Sequence, residues 1–235
     1  MPRPGSVFAA ARTASDARPW GWCCLAVEVD WERLAAAIGV AAAPRAAGAV
    51  GMLMCPILGL EDRRHLPQAA ALGMGMQLTN IARDVAEDWR RSRCYLPIEW
   101  TDGLQPGGGP PDPARVRRGV RTILEVADGY YAAGEAGIAA LDPDSRLAVR
   151  AAARIYHAIG TRIRRRGFEV LDERARVSTL KKLGLFAAAM LTPVGGSRPM
   201  QPGDPARRAL AVAEALVLEC GISVQGHIHE RGVLS

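Results

Sequence analysis

Gln77, Asn80, Asp84 and Asp88 follow one another at intervals of three, four and four positions. On an α-helix that spacing stacks the four side chains on one face. Two carboxylates one turn apart repel by about 0.2–0.5 kcal/mol when solvated, so the pattern asks for a cation between them. Hard divalent ions take oxygen ligands, and Mg2+ typically bridges a few carboxylates to substrate phosphate. Mn2+ is the alternative, since it accepts the same ligand types. Just beyond lie Arg90, Arg91 and Arg93, then Tyr95, Leu96 and Pro97. Guanidinium groups so close to paired carboxylates suit a pyrophosphate, whose oxygens metal and arginine can share. The metal would then act as a Lewis acid on the departing diphosphate. A DxxxD pair alone is usually a solvated helix face, and Gln or Asn on an apolar helix is usually a satisfied polar group at a packing boundary. Here Gln77, Asn80, Arg83, Asp84, Asp88 and the Arg-x-Tyr-Leu-Pro run converge within one short segment.

The elements that must hold these residues read as helices. Residues 66–91 lack an internal Pro after position 67 and repeat Leu72, Met76, Ile81 and Val85 near helical spacing. Further helices are predicted over 31–40, 45–54, 114–141, 145–166, 177–191 and 205–219. Between them stand Pro56 with Gly59, the Gly/Pro loop 101–113, the Asp142-Pro143 turn and the turn-rich stretch 193–205. No strand pattern and no internal repeat emerges. Gly73 and Gly75 inside the long helix each cost about 0.5–1 kcal/mol relative to Ala. Their presence asks for either a close apolar ligand or tight helix packing.

The bulk properties agree. The chain has 235 residues, 49% hydrophobic and only 5% aromatic, which favours helices packed on helices. Its formal charge of +6, almost all from arginine, suits an anionic partner. Nucleic acid is set aside, because no recognition-helix pattern or series of stacking aromatics accompanies that charge. Five cysteines without a CxxC pair argue against a disulfide framework or a zinc ribbon. Cys220 with His227 and His229 is too loosely spaced for a metal site and reads as incidental. The expected setting is reduced and cytoplasmic. The apolar run 46–60 contains Pro56 and is too short to span a bilayer, so any membrane contact is peripheral.

ALGMGMQLTNIARDVAEDWRRSRCYLP, residues 71–97, resembles the second aspartate-rich motif of phytoene synthases and their squalene-synthase relatives. AAGAVGMLM, residues 46–54, is similar to the helix just upstream. RIYHAIGTRIRRRGFEVLDERARVSTLKKLGL, residues 154–185, is similar to the C-terminal helices. The resemblance implies an all-α, prenyl-synthase-type bundle around a central cavity over 44–192, with 1–43 and 193–235 unassigned. The implied reaction joins two geranylgeranyl diphosphates head to head, through a cyclopropyl intermediate, to phytoene. It also implies Asp84, Asp88 and Asn80 at the metal, and Gln77, Asn80, Arg83 and Arg93 at the metal or diphosphate. Tyr95 and Tyr156 are implied as cavity residues near the reacting carbons. Lys181 and Lys182 read as a solvated basic face, with phosphate contact as the alternative.

The likeness breaks upstream. Family members carry two aspartate-rich motifs, but before residue 44 Asp16 and Asp30 are isolated, and Glu28 precedes Asp30 by only two. The Ala/Arg/Pro/Gly bias of 1–43 is what a misplaced start or shifted frame in a GC-rich gene would produce. With one carboxylate pair, weak or absent activity of the chain alone is expected. Two alternatives therefore stay open: a synthase using farnesyl diphosphate to make squalene or a hopanoid precursor, and a non-catalytic relative that binds diphosphate or a partner synthase.

Overall fold

A computed structural model describes residues 42–107, 109–172, 174–191, 204–220 and 222. The helix expected over 31–40, Cys23, Cys24, His227 and His229 lie outside them. Every regular element among the described residues is helical: α1 Ala42–Met54, α2 Leu66–Arg90, α3 Pro113–Glu135, α4 Pro143–Arg165, α5 Thr179–Leu191 and α6 Pro205–Glu219, with single 3-10 turns at Arg63–His65, Ile98–Trp100 and Ile138–Ala140.

Helix boundaries follow local chemistry. Helices α3, α4 and α6 each begin at the Pro of an Asp-Pro pair, where a missing N–H costs nothing. Asp112 accepts from the Ala114 N–H at 2.8 Å, and Asp204 from the Ala206 N–H at 3.0 Å. Beyond α2, Ser92 turns left-handed (φ 56°) and the Arg93 N–H closes back on the Asp88 carbonyl at 2.9 Å. The helix expected to run to residue 141 stops at Glu135. Gly134 and Gly137 weaken it there, and the Gly137 N–H bonds the Gly134 carbonyl at 3.0 Å in a tighter turn.

Helix α2 is the axis of the fold, packed by α1, α3, α4 and α6. Ala70, Ala71, Met74, Leu78, Ile81, Ala82 and Val85 form its buried stripe. Against α1 the backbones touch: a Cβ on Gly51 would stand 2.5 Å from the Ala69 carbonyl oxygen, and one on Gly73 would run into the Ala47 carbonyl. On the other side, a Cβ on Gly75 would stand 3.2 Å from Tyr130 Cβ of α3. Tight packing accounts for both glycines. Helix α5 is the exception to burial. It packs on α4, buries Ala189, and leaves Leu180, Leu183, Phe186, Met190 and Leu191 exposed.

Candidate active site

The four polar residues spaced along α2 do share a ridge, and α2 presents it beside a hollow. Asn80 Nδ2 stands 3.5 Å from Gln77 Oε1, while Asn80 Oδ1 is buried with no hydrogen-bond partner. One turn on, Asp84 is mostly buried and held from two sides. Arg83 Nε and Nη2 donate to its oxygens at 2.7 and 2.6 Å. Arg174, from the segment between α4 and α5, donates Nε and Nη2 at 2.7 and 3.1 Å. Burial acts to raise the Asp84 carboxyl, but hydrogen bonds from both guanidiniums outweigh it and hold the group below the usual carboxylate range. Asp88 has no such partner. Burial, then the charge of Asp84, pushes its carboxyl upward. Glu87 pairs with Arg91 at 2.7 Å and lies 3.8 Å from Arg174.

The other sequence candidates fall in two places. Tyr156 is half-buried against the core and acts electrostatically on Arg83. Arg93 and Tyr95 follow the left-handed turn; both are exposed and border a shallow depression with Asp88 and Cys94. Neither Tyr95 nor Tyr156 is among the residues lining the large cavity. Lys181 and Lys182 are exposed on α5. Sequence reasoning missed Arg174. It lies inside the segment resembling the C-terminal helices, but 90 positions separate it from Asp84, and periodicity does not reach that far.

The large cavity has a volume of about 690 Å³. Its walls are mainly apolar: Val50 and Met54 of α1, Leu72 and Met76 of α2, Leu141, and Val149 of α4. Gln77 and Asn80 belong to the same lining and lead toward Asp84. An apolar cavity of this size, with Gln77 and Asn80 in its wall one turn before the arginine-held Asp84, has the chemistry to accept a hydrocarbon tail with a phosphate head.

The donor set also fits a divalent cation. Asn80 Oδ1 is an orphaned buried acceptor, Asp88 forms no ion pair among the described residues, and Asp84 already attracts two cations. All are hard oxygen donors. Among the described residues no group of three or more His, Cys, Asp or Glu side chains assembles, so these residues supply only part of a coordination shell.

The fold thus defines an all-helical protein with an apolar cavity beside a helix face that carries paired carboxylates. Comparison with known proteins sharpens this: the pattern of the squalene/phytoene synthase family matches residues 43–181. The chain belongs to that family. It is 43% identical over 142 residues to a 15-cis-phytoene synthase of Paracoccus sp., covering 60% of this chain and 46% of the relative. It is 37% identical over 147 residues to the 15-cis-phytoene synthase of Pantoea ananas, covering 61% and 48%. A crystal structure of a dehydrosqualene synthase in complex with ligand superposes with a TM-score of 0.53 at 25% identity, over 61% of this chain and 52% of that one. The chain therefore spans about half the length of the curated relatives it matches.

Proposed function

We propose that this chain carries the diphosphate-binding part of a prenyl transferase that joins two geranylgeranyl diphosphates head to head to phytoene, in carotenoid biosynthesis. One observation carries the reading: an apolar cavity whose polar end, Gln77 and Asn80, sits one turn from Asp84 and two from Asp88. The likeness to phytoene synthases selects the substrate. Asp84, Asp88 and Asn80 would hold Mg2+, with Mn2+ as a substitute, and the ion would supply positive charge to the leaving diphosphate. The rest falls to the protein. The trough orients the tail and keeps water from it, so that the diphosphate arrives in one register. Arg83 and Arg174 neutralise Asp84 here; with Mg2+ held at that carboxylate, both guanidiniums would be available to donate to phosphate oxygens. Tyr156, half-buried against the core, is the tyrosine that the family likeness assigns to the neighbourhood of the reacting carbons.

Incubation with labelled geranylgeranyl diphosphate and Mg2+ tests the reaction; labelled phytoene is expected at low yield, in keeping with one carboxylate pair. Diphosphate binding without any hydrocarbon product would favour the second reading, a non-catalytic binder, which the single carboxylate pair among the described residues supports. The site has its own test. Asp84→Ala or Asp88→Ala should abolish Mg2+-dependent diphosphate binding by calorimetry while helix content stays constant. Unchanged binding would make the carboxylates surface decoration.

The cellular setting we propose is cytoplasmic with peripheral membrane contact. Among the described residues no helix is long and apolar enough to cross a membrane. Exposed Leu180 and Leu183 beside Lys181 and Lys182 support contact from one side.

A further inference from the structure

The cavity lining follows α2 from Asn80 back to His65, the residue that caps the helix. At 1.5 Å per residue this is a path of about 22 Å, comparable to an extended geranylgeranyl chain. The trough is open along its flank, where Val50 and Met54 are 56% and 40% exposed. Cys55, Leu60, Ile138 and Leu141, which line it too, are all buried. Among those apolar walls His65 stands out. Its Nδ1 is buried without a hydrogen-bond partner, so no hydrogen bond at that nitrogen explains an imidazole in this place. Its position is nevertheless firmly set. The Asp62 side chain caps the Arg63–His65 turn through the Arg64 N–H at 2.9 Å, and the His65 N–H bonds the Asp62 carbonyl at 3.1 Å. Leu66 and Pro67, next in the chain, are buried.

We propose that His65 is the end wall of the trough and sets the longest prenyl chain that can be seated with its diphosphate at Asp84 and Asp88. It is a specificity-determining residue, remote from the reacting carbons. A tail one isoprene unit too long meets a ring held in place by its backbone, and the diphosphate is pushed past the carboxylates. A shorter tail leaves the end of the trough unfilled. The inference rests on the prenyl-binding reading of the cavity.

The test compares wild type, His65→Ala and His65→Trp for binding of farnesyl, geranylgeranyl and geranylfarnesyl thiolodiphosphates, which do not ionise, with Mg2+ by calorimetry. His65→Ala should shift relative affinity toward the geranylfarnesyl analogue by about tenfold or more, and His65→Trp toward the farnesyl analogue by a similar factor. The same order of preference in all three proteins overturns the proposal. So does a uniform loss across lengths, because a wall must discriminate. If wild type binds none of the three, the reading of the cavity fails first and the proposal falls with it. If wild type binds and the variants keep its order, only the role of His65 is lost.

Discussion

Arg174 occupies Asp84 where the proposed metal ion would bind, so the two would compete. Its two hydrogen bonds to the carboxylate must break before a metal can use both oxygens. Arg174→Gln should therefore tighten Mg2+ binding in the absence of diphosphate by about fivefold, the ~1 kcal/mol scale of a partly exposed ion pair. Calorimetric titration with MgCl2 alone reads this directly; weaker binding in the variant would mean that Arg174 does not compete for Asp84. The contrast with Asp84 and Asp88 shows what a sequence discloses at this scale. Carboxylates four apart meet on a helix whatever the rest of the chain does, so their shared face was legible, as was its continuation through Gln77 and Asn80. The partner from 90 positions away was not, because only tertiary packing brings it there. The orphaned Asn80 oxygen was equally hidden, since burial and lack of a partner belong to the fold.

Helix positions were legible for local reasons. The Asp-Pro pairs at 112–113, 142–143 and 204–205 mark three helix starts, and the unbroken apolar period of α2 marks the axis. The break at Glu135 was not legible, because the amphipathic period runs on past Gly134 and Gly137, which tighten the turn there. How helices meet is less local. Gly73 lets α2 touch the α1 backbone at Ala47, so Gly73→Ala should force the two apart. The expected cost is about 1–3 kcal/mol, seen as a lowered midpoint in thermal unfolding; an unchanged midpoint would show that α1 can shift freely. Helices α3 and α4 are joined differently, by Asp128. Its carboxylate stands 2.6 Å from Arg164 Nη2 and 3.3 Å from His157 Nε2. Burial opposes its charge, but the hydrogen bond from His157 and the charge of Arg164 hold its carboxyl below the ordinary 3.8. A depressed carboxylate stabilises the fold above its unfolded value, and that contribution disappears as pH falls through the folded value. Asp128→Asn should thus lower the unfolding midpoint at neutral pH, with the gap from wild type closing below pH 3.8. The effect will be small, because the carboxylate is half exposed and screened. A gap that persists in acid would assign the loss to packing.

At the scale of the whole molecule, charge and exposed oil point the same way. The chain carries a formal +6, and α5 sets Lys181 and Lys182 beside Leu180 and Leu183, which are 81% and 61% exposed, with Met190 at 63% further along. Fully burying one such side chain contributes about 1.5–3 kcal/mol, and a lysine near an anionic bilayer adds about 1 kcal/mol. Together these sums suffice for measurable peripheral attachment without a spanning segment. Co-sedimentation with vesicles containing phosphatidylserine should carry the protein into the pellet, more weakly as salt rises. The two contributions separate by substitution. Lys181→Gln with Lys182→Gln should remove most of the salt-dependent part, whereas Leu180→Asp with Leu183→Asp should lower attachment at every salt concentration. No residue of helix α5 is in the trough lining, so both double variants should keep wild-type affinity for diphosphate in solution. Attachment indifferent to both pairs would remove α5 as the lipid-facing element, leaving its oily face to pack against protein instead.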